Sequence, residues 1–187
     1  MPSAAGSEVD RPIFIIGVGR SGSSIFHQMF SRHPHVAWLS SLAEDYPERI
    51  WLNRTLMMAI DFPRLTSLLT RPFDPGECYP FWDRLYGGFG TPCRDLHEED
   101  VTTRAAARIR AVLAETLTAR RRRLLIKITG WPRIGFRREI FPDARFIHVL
   151  RDGRPVARSL PNVDFWWGWR GPRNWRSGPR TPVPPAD

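Results

Sequence analysis

The sequence predicts an α/β fold in which a central parallel sheet is flanked by helices. Three observations support this prediction. Short runs rich in Ile, Leu and Val recur along the chain, and each has the length of a fully buried strand. Segments with apolar residues at helical spacing lie between these runs. A glycine-rich turn connects the first run to the first helical segment.

The first half of the chain opens with a strand at residues 13–17, where β-branched residues lead into a glycine. Residues 23–32 carry apolar side chains at helical spacing and predict the first helix. A second strand is predicted at residues 36–39. Residues 43–69 read as mainly helical, and Pro63 is expected to break that helix.

The middle of the chain begins with residues 71–93, whose many Pro, Gly and aromatic residues predict an irregular, packed loop region. Thr102 or Thr103 can then cap a long helix over residues 104–119. Four arginines at 120–123 would lie at the negative end of that helix dipole. We prefer this interpretation of the arginine run to nucleic-acid binding.

The second half alternates strands and helices. Strands are predicted at residues 124–128 and 145–150, with a short helix at 134–141 between them. A further helix should open at residues 154–160, with Pro155 in its first turn, where proline is tolerated. This alternation predicts a parallel sheet that is covered on both faces.

Length and composition limit the class of protein. The chain has 187 residues, which suits one domain over 1–187, with an irregular tail at 161–187. Its formal net charge of +9 suggests an anionic partner, and its single lysine, Lys127, lies inside an apolar strand. Cys78 and Cys93 are too few for a disulfide framework, and the histidines have no ligand-like spacing with them, so we expect no metal.

The beginning of the chain and its hydropathy predict the compartment. The first ten residues are polar and acidic and do not resemble a signal peptide. No apolar run approaches the ~20 residues that a membrane span needs. We therefore expect a cytoplasmic protein with no membrane span.

The glycine-rich turn is the first candidate site. The stretch GVGRSGSS fits the G-x-x-x-x-G pattern of a phosphate loop, but Ser23 stands where an ATPase or GTPase places lysine. Glycines let successive N–H groups point inward, and the following helix adds its positive end, so the turn still suits a terminal phosphate or sulfate. Arg20 supplies a cation in place of the lysine. The candidate anion-binding residues of the loop are Gly19, Arg20, Ser21, Gly22, Ser23 and Ser24.

A second candidate anion site follows the strand at 145–150. The stretch RFIHVLRDGRPVARSL places Arg151 at the end of that strand and Ser159 eight residues later, on a helix. The carboxyl ends of parallel strands share one edge of a sheet, so both residues should lie near the glycine loop. Arginine suits phosphate because its guanidinium donates two parallel hydrogen bonds. Taken alone, Arg151 would also suit an ordinary ion pair with Asp152.

Together these motifs resemble those of the sulfotransferases that use 3′-phosphoadenosine 5′-phosphosulfate (PAPS), in the bacterial and carbohydrate-type branch. FIIGVGRSGSS is similar to their 5′-phosphosulfate loop, RFIHVLRDGRPVARSL to their 3′-phosphate motif and LLIKITGWPRIGF to their lysine-containing central strand. The resemblance implies a P-loop NTPase-like three-layer fold. It also implies PAPS as the donor, no metal, and sulfuryl transfer to a hydroxyl or amine. Arg20 and Lys127 would then stabilise the bridging oxygen as the bond breaks, and Arg151 and Ser159 would hold the 3′-phosphate.

The residue that takes the proton from the acceptor is less evident. Cytosolic members of the family have histidine two residues after the strand lysine, where this chain has Thr129. Other branches use a glutamate after the second strand, which makes Glu44 the candidate here, with Asp45 beside it. The same two carboxylates would also suit a solvated helix start. His27, His33 and His35 are weaker candidates.

Two features of the C-terminal part leave alternatives open. The family continues with further helices and an Arg-Lys-Gly-type segment that this sequence does not contain, so we expect a C-terminally incomplete chain. Trp166, Trp167, Trp169 and Trp175 could line an acceptor cleft or belong to a core that lacks its covering helices. These features make an inactive nucleotide-binding remnant one alternative. The other alternative is a P-loop kinase or NTPase of similar fold, against which the missing lysine counts. The acceptor could be a sugar, a lipid, a peptide or another small molecule, nucleic acid is not expected, and the oligomeric state is open.

Overall fold

A computed structural model describes residues 8–69, 73–90 and 95–162 of the chain. The strands are β1 (Ile13–Gly17), β2 (Val36–Trp38), β3 (Arg123–Lys127) and β4 (Arg145–Val149). The helices are α1 (Ser23–Ser31), α2 (Ser41–Asp45), α3 (Ile50–Ile60), α4 (Pro63–Leu69), α5 (Tyr79–Leu85), α6 (Thr103–Ala114), α7 (Ile134–Ile140) and α8 (Gly153–Ser159). Two single-turn 3-10 helices lie at Glu98–Asp100 and Leu160–Asn162.

The four strands form one sheet in the order β2-β3-β1-β4, and every pair is parallel. Each of these strands lies within one residue of its predicted bounds. Strands β1, β2 and β3 are mostly buried, and a buried parallel strand reads as a continuous apolar run. Parallel strands need long crossover connections, and helices occupy these connections here. The predicted α/β fold with a central parallel sheet is confirmed.

Helices cover both faces of the sheet. The side chains of neighbouring strand residues point to opposite faces of the sheet, so Phe14 of β1 lies on one face and Ile15 lies on the other. The ring of Phe14 is tilted against that of Phe141, with ring centroids 6.1 Å apart, and lies under the guanidinium of α7 residue Arg137. On the other face Ile15 pairs in register with Lys127, which contacts α1. The layers are therefore helix, sheet and helix, as the three-layer prediction requires.

Three details of the middle segment differ from the sequence prediction. The segment predicted as irregular contains α5 and is otherwise described only in part, because residues 70–72 and 91–94 lie outside the description. Pro63 opens α4 as well as ending the preceding helix. Helix α6 begins directly after the predicted cap, Thr102, but ends at Ala114, more than a turn before its predicted end.

The early end of α6 changes the role of the arginine run. The chain turns after Ala114, and Arg121 is buried with 4% of its surface exposed. Its Nη2 lies 2.9 Å from a carboxylate oxygen of Asp61, and its Nη1 donates to the carbonyl of Val36 at 2.7 Å. The interpretation of this run as a helix-end cap is wrong, since Arg121 instead connects the end of α3 to the start of β2.

Candidate functional site

The glycine loop begins at the last residue of β1, Gly17, which pairs in register with Val149 of β4. Gly17 has a φ of 153°, and a Cβ added there would lie 2.7 Å from the carbonyl oxygen of Val149 on β4. Only glycine fits this combination of backbone angle and contact. Gly22, with a φ of 95°, forms the N-cap of α1. The loop therefore leads directly into the N-terminus of a nine-residue helix. The free backbone N–H groups and the positive end of the helix dipole at this point favour the binding of an anion.

Arg20 joins the glycine loop to the motif that follows β4. Its Nε donates to Ser159 Oγ at 2.8 Å, and its carbonyl oxygen accepts a hydrogen bond from Arg151 Nη1 at 3.0 Å. Arg20 itself has a φ of 66°, which a non-glycine residue rarely adopts. The structure thus brings Arg20 together with Arg151 and Ser159, which lie more than a hundred positions later in the chain.

The serines of the loop differ in their surroundings. Ser21 and Ser23 are buried, and within the described residues Ser21 Oγ has no hydrogen-bond partner. A buried hydroxyl without a partner is costly, so Ser21 Oγ is available to a ligand at this loop. Ser24 accepts a hydrogen bond of 2.9 Å from Lys127 Nζ.

Lys127 lies at the carboxyl end of β3 with 7% of its side chain exposed. Besides its bond to Ser24, its Nζ lies 2.8 Å from Glu77 Oε1. Glu77 also accepts hydrogen bonds from the Thr129 hydroxyl at 2.8 Å and from the Thr129 N–H at 3.3 Å. A buried ammonium needs such a counter-charge, and Glu77 supplies it from the connection before α5.

Glu77 is the site residue that sequence reasoning missed. A lysine in a buried strand indicates that a carboxylate should be near it, but the sequence does not say which carboxylate. Glu77 lies between Gly76 and Cys78, in a segment without periodicity and fifty positions before Lys127. Its role is set entirely by where this connection returns to the sheet.

Glu44, the predicted proton acceptor, lies on α2 and is partly buried. One of its carboxylate oxygens is 3.6 Å from the position of a Cβ added to Gly76. Burial raises the pKa of the Cys78 thiol, and the negative charges of Glu44 and Glu77 raise it further. Cys78 is therefore held as a thiol, and its sulfur feels the negative charge of both carboxylates.

The three histidines are distributed differently. His27 lies on α1 and is 1% exposed. Burial, with a smaller contribution from the charge of Lys127, lowers the pKa of His27 to about 3. His33 and His35 are exposed, and His35 Nδ1 is hydrogen-bonded to the carbonyl of Arg120 at 3.2 Å, at the opposite end of the strands from the glycine loop.

The burial of His27 predicts a pH-dependent stability. Its imidazole takes a proton near pH 6.5 in the unfolded chain but only near pH 3 in the folded one. Between these values the unfolded state binds more protons, so the free energy of unfolding should fall with decreasing pH, by at most about 1.4 kcal/mol per pH unit. Urea titrations between pH 3 and pH 6.5 should show that the free energy of unfolding depends less steeply on pH in His27→Leu than in the wild type. The control variant His148→Gln changes an exposed imidazole and should keep the wild-type dependence.

A family model described as the Sulfotransferase family matches residues 12–176. The match covers most of the chain, and the chain therefore belongs to the sulfotransferase family. Both motifs that meet at Arg20 lie inside the matched region. Neither a curated protein nor a solved structure matches the chain.

Among the helices of the described residues, none is long and apolar enough to cross a membrane. The four tail tryptophans singled out above lie outside the described residues.

Proposed function

We propose that the chain transfers a sulfuryl group from PAPS to a hydroxyl or amine of a small-molecule, sugar or lipid acceptor, and that residues 1–187 belong to one domain. The observation that carries this proposal is the contact of Arg20 with both Ser159 and Arg151. PAPS carries anionic groups at its 5′ and 3′ positions. Two arginines that meet at the N-terminus of α1 suit a ligand with two separate anions.

The residues fit the two ends of the donor in different ways. The N–H groups of the loop, with Ser21, Ser23 and Ser24, would hold the 5′-phosphosulfate. Arg151 and Ser159 would hold the 3′-phosphate. A hydroxyl can accept from one group and donate to another, so Ser159 can keep its bond from Arg20 while it donates to a phosphate.

The chemistry required is the stabilisation of charge on the bridging oxygen as its bond to sulfur breaks. Arg20 and Lys127 are the cations next to the loop that can donate hydrogen bonds to this oxygen. The acceptor must also lose its proton, and the two carboxylates around Cys78, Glu44 and Glu77, are the candidates to take it. The sulfuryl group carries less charge than a γ-phosphoryl group, so a metal bridge is less needed.

Calorimetric titration with 3′-phosphoadenosine 5′-phosphate (PAP), the product nucleotide, tests this proposal. We expect a Kd on the order of 10⁻⁶ M for PAP and much weaker binding of Mg-ATP. Arg20→Ala should weaken PAP binding, whereas Arg32→Ala, which changes an exposed arginine at the end of α1, should not. Preferential binding of Mg-ATP would instead support a kinase or NTPase, the alternative that the missing lysine argues against.

A further inference from the structure

Glu77 combines access to solvent with a fixed orientation. Its side chain is 21% exposed, so a molecule at the sheet edge can reach its carboxylate. One oxygen is bound by Lys127 Nζ at 2.8 Å and by the Thr129 hydroxyl at 2.8 Å. The other oxygen accepts from the Thr129 hydroxyl at 3.1 Å and from its N–H at 3.3 Å.

The partner of Glu77 is itself held in place. Tyr79, which is largely buried, donates from its hydroxyl to the carbonyl of Thr129 at 2.8 Å. Thr129 is therefore fixed on both sides, by Tyr79 through its carbonyl and by Glu77 through its hydroxyl. A carboxylate with such restricted motion is suited to proton transfer, because its position relative to the reacting atoms varies little.

Glu77 also lies beside the group that must act on the leaving oxygen. Lys127 Nζ lies within hydrogen-bond distance of both the loop residue Ser24 and Glu77. The ammonium thus links the anion-binding loop to the carboxylate through two short contacts. A nucleophile that contacts Glu77 is then adjacent to a sulfuryl group bound at the loop.

We infer that Glu77 is the general base of the reaction, an assignment that rests on the proposed function. As the acceptor oxygen forms its bond to sulfur, its proton passes to the Glu77 carboxylate. The bond between sulfur and the bridging oxygen breaks, and its electron pair stays on the 5′-phosphate of PAP. Lys127 donates to that oxygen and stabilises the negative charge that it gains.

The other candidates serve this role less well. His27 is 1% exposed and cannot meet an acceptor. Glu44 lies on α2, near Gly76, whereas the contacts of Lys127 described above lead to Glu77. Glu77 is therefore the carboxylate beside the proposed catalytic cation, since its Oε1 lies 2.8 Å from Lys127 Nζ.

The test compares Glu77→Gln with Glu44→Gln and with the surface control Glu99→Gln. Release of PAP from PAPS is measured with water alone, with methyl glucoside and with 4-nitrophenol. A general base contributes about 10²- to 10⁴-fold, so Glu77→Gln should slow transfer to water and to the sugar by that factor. Transfer to 4-nitrophenol should be slowed much less above neutral pH, where this phenol is already ionised. A merely structural residue would slow all three acceptors equally.

Two further measurements distinguish a wrong assignment of Glu77 from a wrong proposed function. Glu77→Gln should bind PAP as the wild type does, and Lys127 should react faster with an amine-acylating reagent, since it loses its ion pair. Because Lys127 is the single lysine, its labelling is read without interference from other side-chain amines. An equal loss with every acceptor, or a loss only in Glu44→Gln, would overturn the assignment of Glu77. A folded wild type that neither binds PAP nor releases it from PAPS would overturn the proposed function itself.

Discussion

Replacing Lys127 with methionine is expected to slow sulfuryl transfer from PAPS by about 10²- to 10³-fold. The lysine is buried beside the glycine loop and donates to Ser24, which places its ammonium next to the bridging oxygen of the donor in the proposed reaction. The residues proposed to hold the 3′-phosphate, Arg151 and Ser159, follow a different strand, and PAP affinity should therefore change much less than the rate. Release of PAP from PAPS and calorimetry with PAP measure the two effects separately.

The same substitution leaves Glu77 without its ion-pair partner, which costs stability as well as activity. The double variant Lys127→Met/Glu77→Gln removes both charges and should recover part of the lost free energy of unfolding, while transfer stays slow. Equal losses in PAP affinity and in rate would contradict the catalytic role of Lys127. Such a result would make the lysine a binding residue only.

Replacing Arg121 with alanine is expected to lower the free energy of unfolding by about 3–5 kcal/mol. Arg121 is almost fully buried, where it neutralises Asp61 and donates to the carbonyl of Val36. Its removal leaves a carboxylate with 17% of its side chain exposed and a buried carbonyl that has lost a donor. The effect should appear in urea denaturation as a lower midpoint with an unchanged slope.

The neighbouring arginine provides a matched control. Arg120 lies 4.0 Å from the same oxygen of Asp61, but 54% of its side chain is exposed. An exposed ion pair contributes little, so Arg120→Ala should cost less than about 1 kcal/mol. If Arg120→Ala and Arg121→Ala lowered the free energy of unfolding by similar amounts, the account would be contradicted. Burial would then not explain why one ion pair with Asp61 contributes more than the other.

The strands and the meeting of the two motifs could be predicted because both follow from local patterns and one rule of topology. The run at β1 is apolar and β-branched, the run at β4 contains Phe146, Ile147 and Val149, and parallel strands place their carboxyl ends at one edge. That rule alone predicts Arg20 near Arg151. It does not predict that the contact runs from the Arg151 side chain to the Arg20 backbone, which depends on the left-handed conformation of Arg20.

The connection between β2 and β3 could not be predicted to the same degree. Helix α5 was missed because Pro80 and a cluster of aromatic residues obscure its helical period, and its N-cap, Cys78, is not a usual capping residue. Glu77 owes its role to a contact with Lys127 that is distant in sequence. Local sequence patterns carry no information on such a contact. The same contact with Lys127 is the basis on which Glu77 is proposed as the general base.

The central claim is that one nucleotide bridges the glycine loop and the motif after β4. The most direct measurement is the affinity of the wild type, Arg151→Ala and Arg154→Ala for PAP and for adenosine 5′-monophosphate, which lacks the 3′-phosphate. Arg154 is a suitable control because its exposed guanidinium is paired with Asp152. We predict that Arg151→Ala weakens PAP binding about 10- to 100-fold while it leaves the affinity for the monophosphate unchanged. Equal weakening of both nucleotides, or none, would contradict the claim that Arg151 holds the 3′-phosphate.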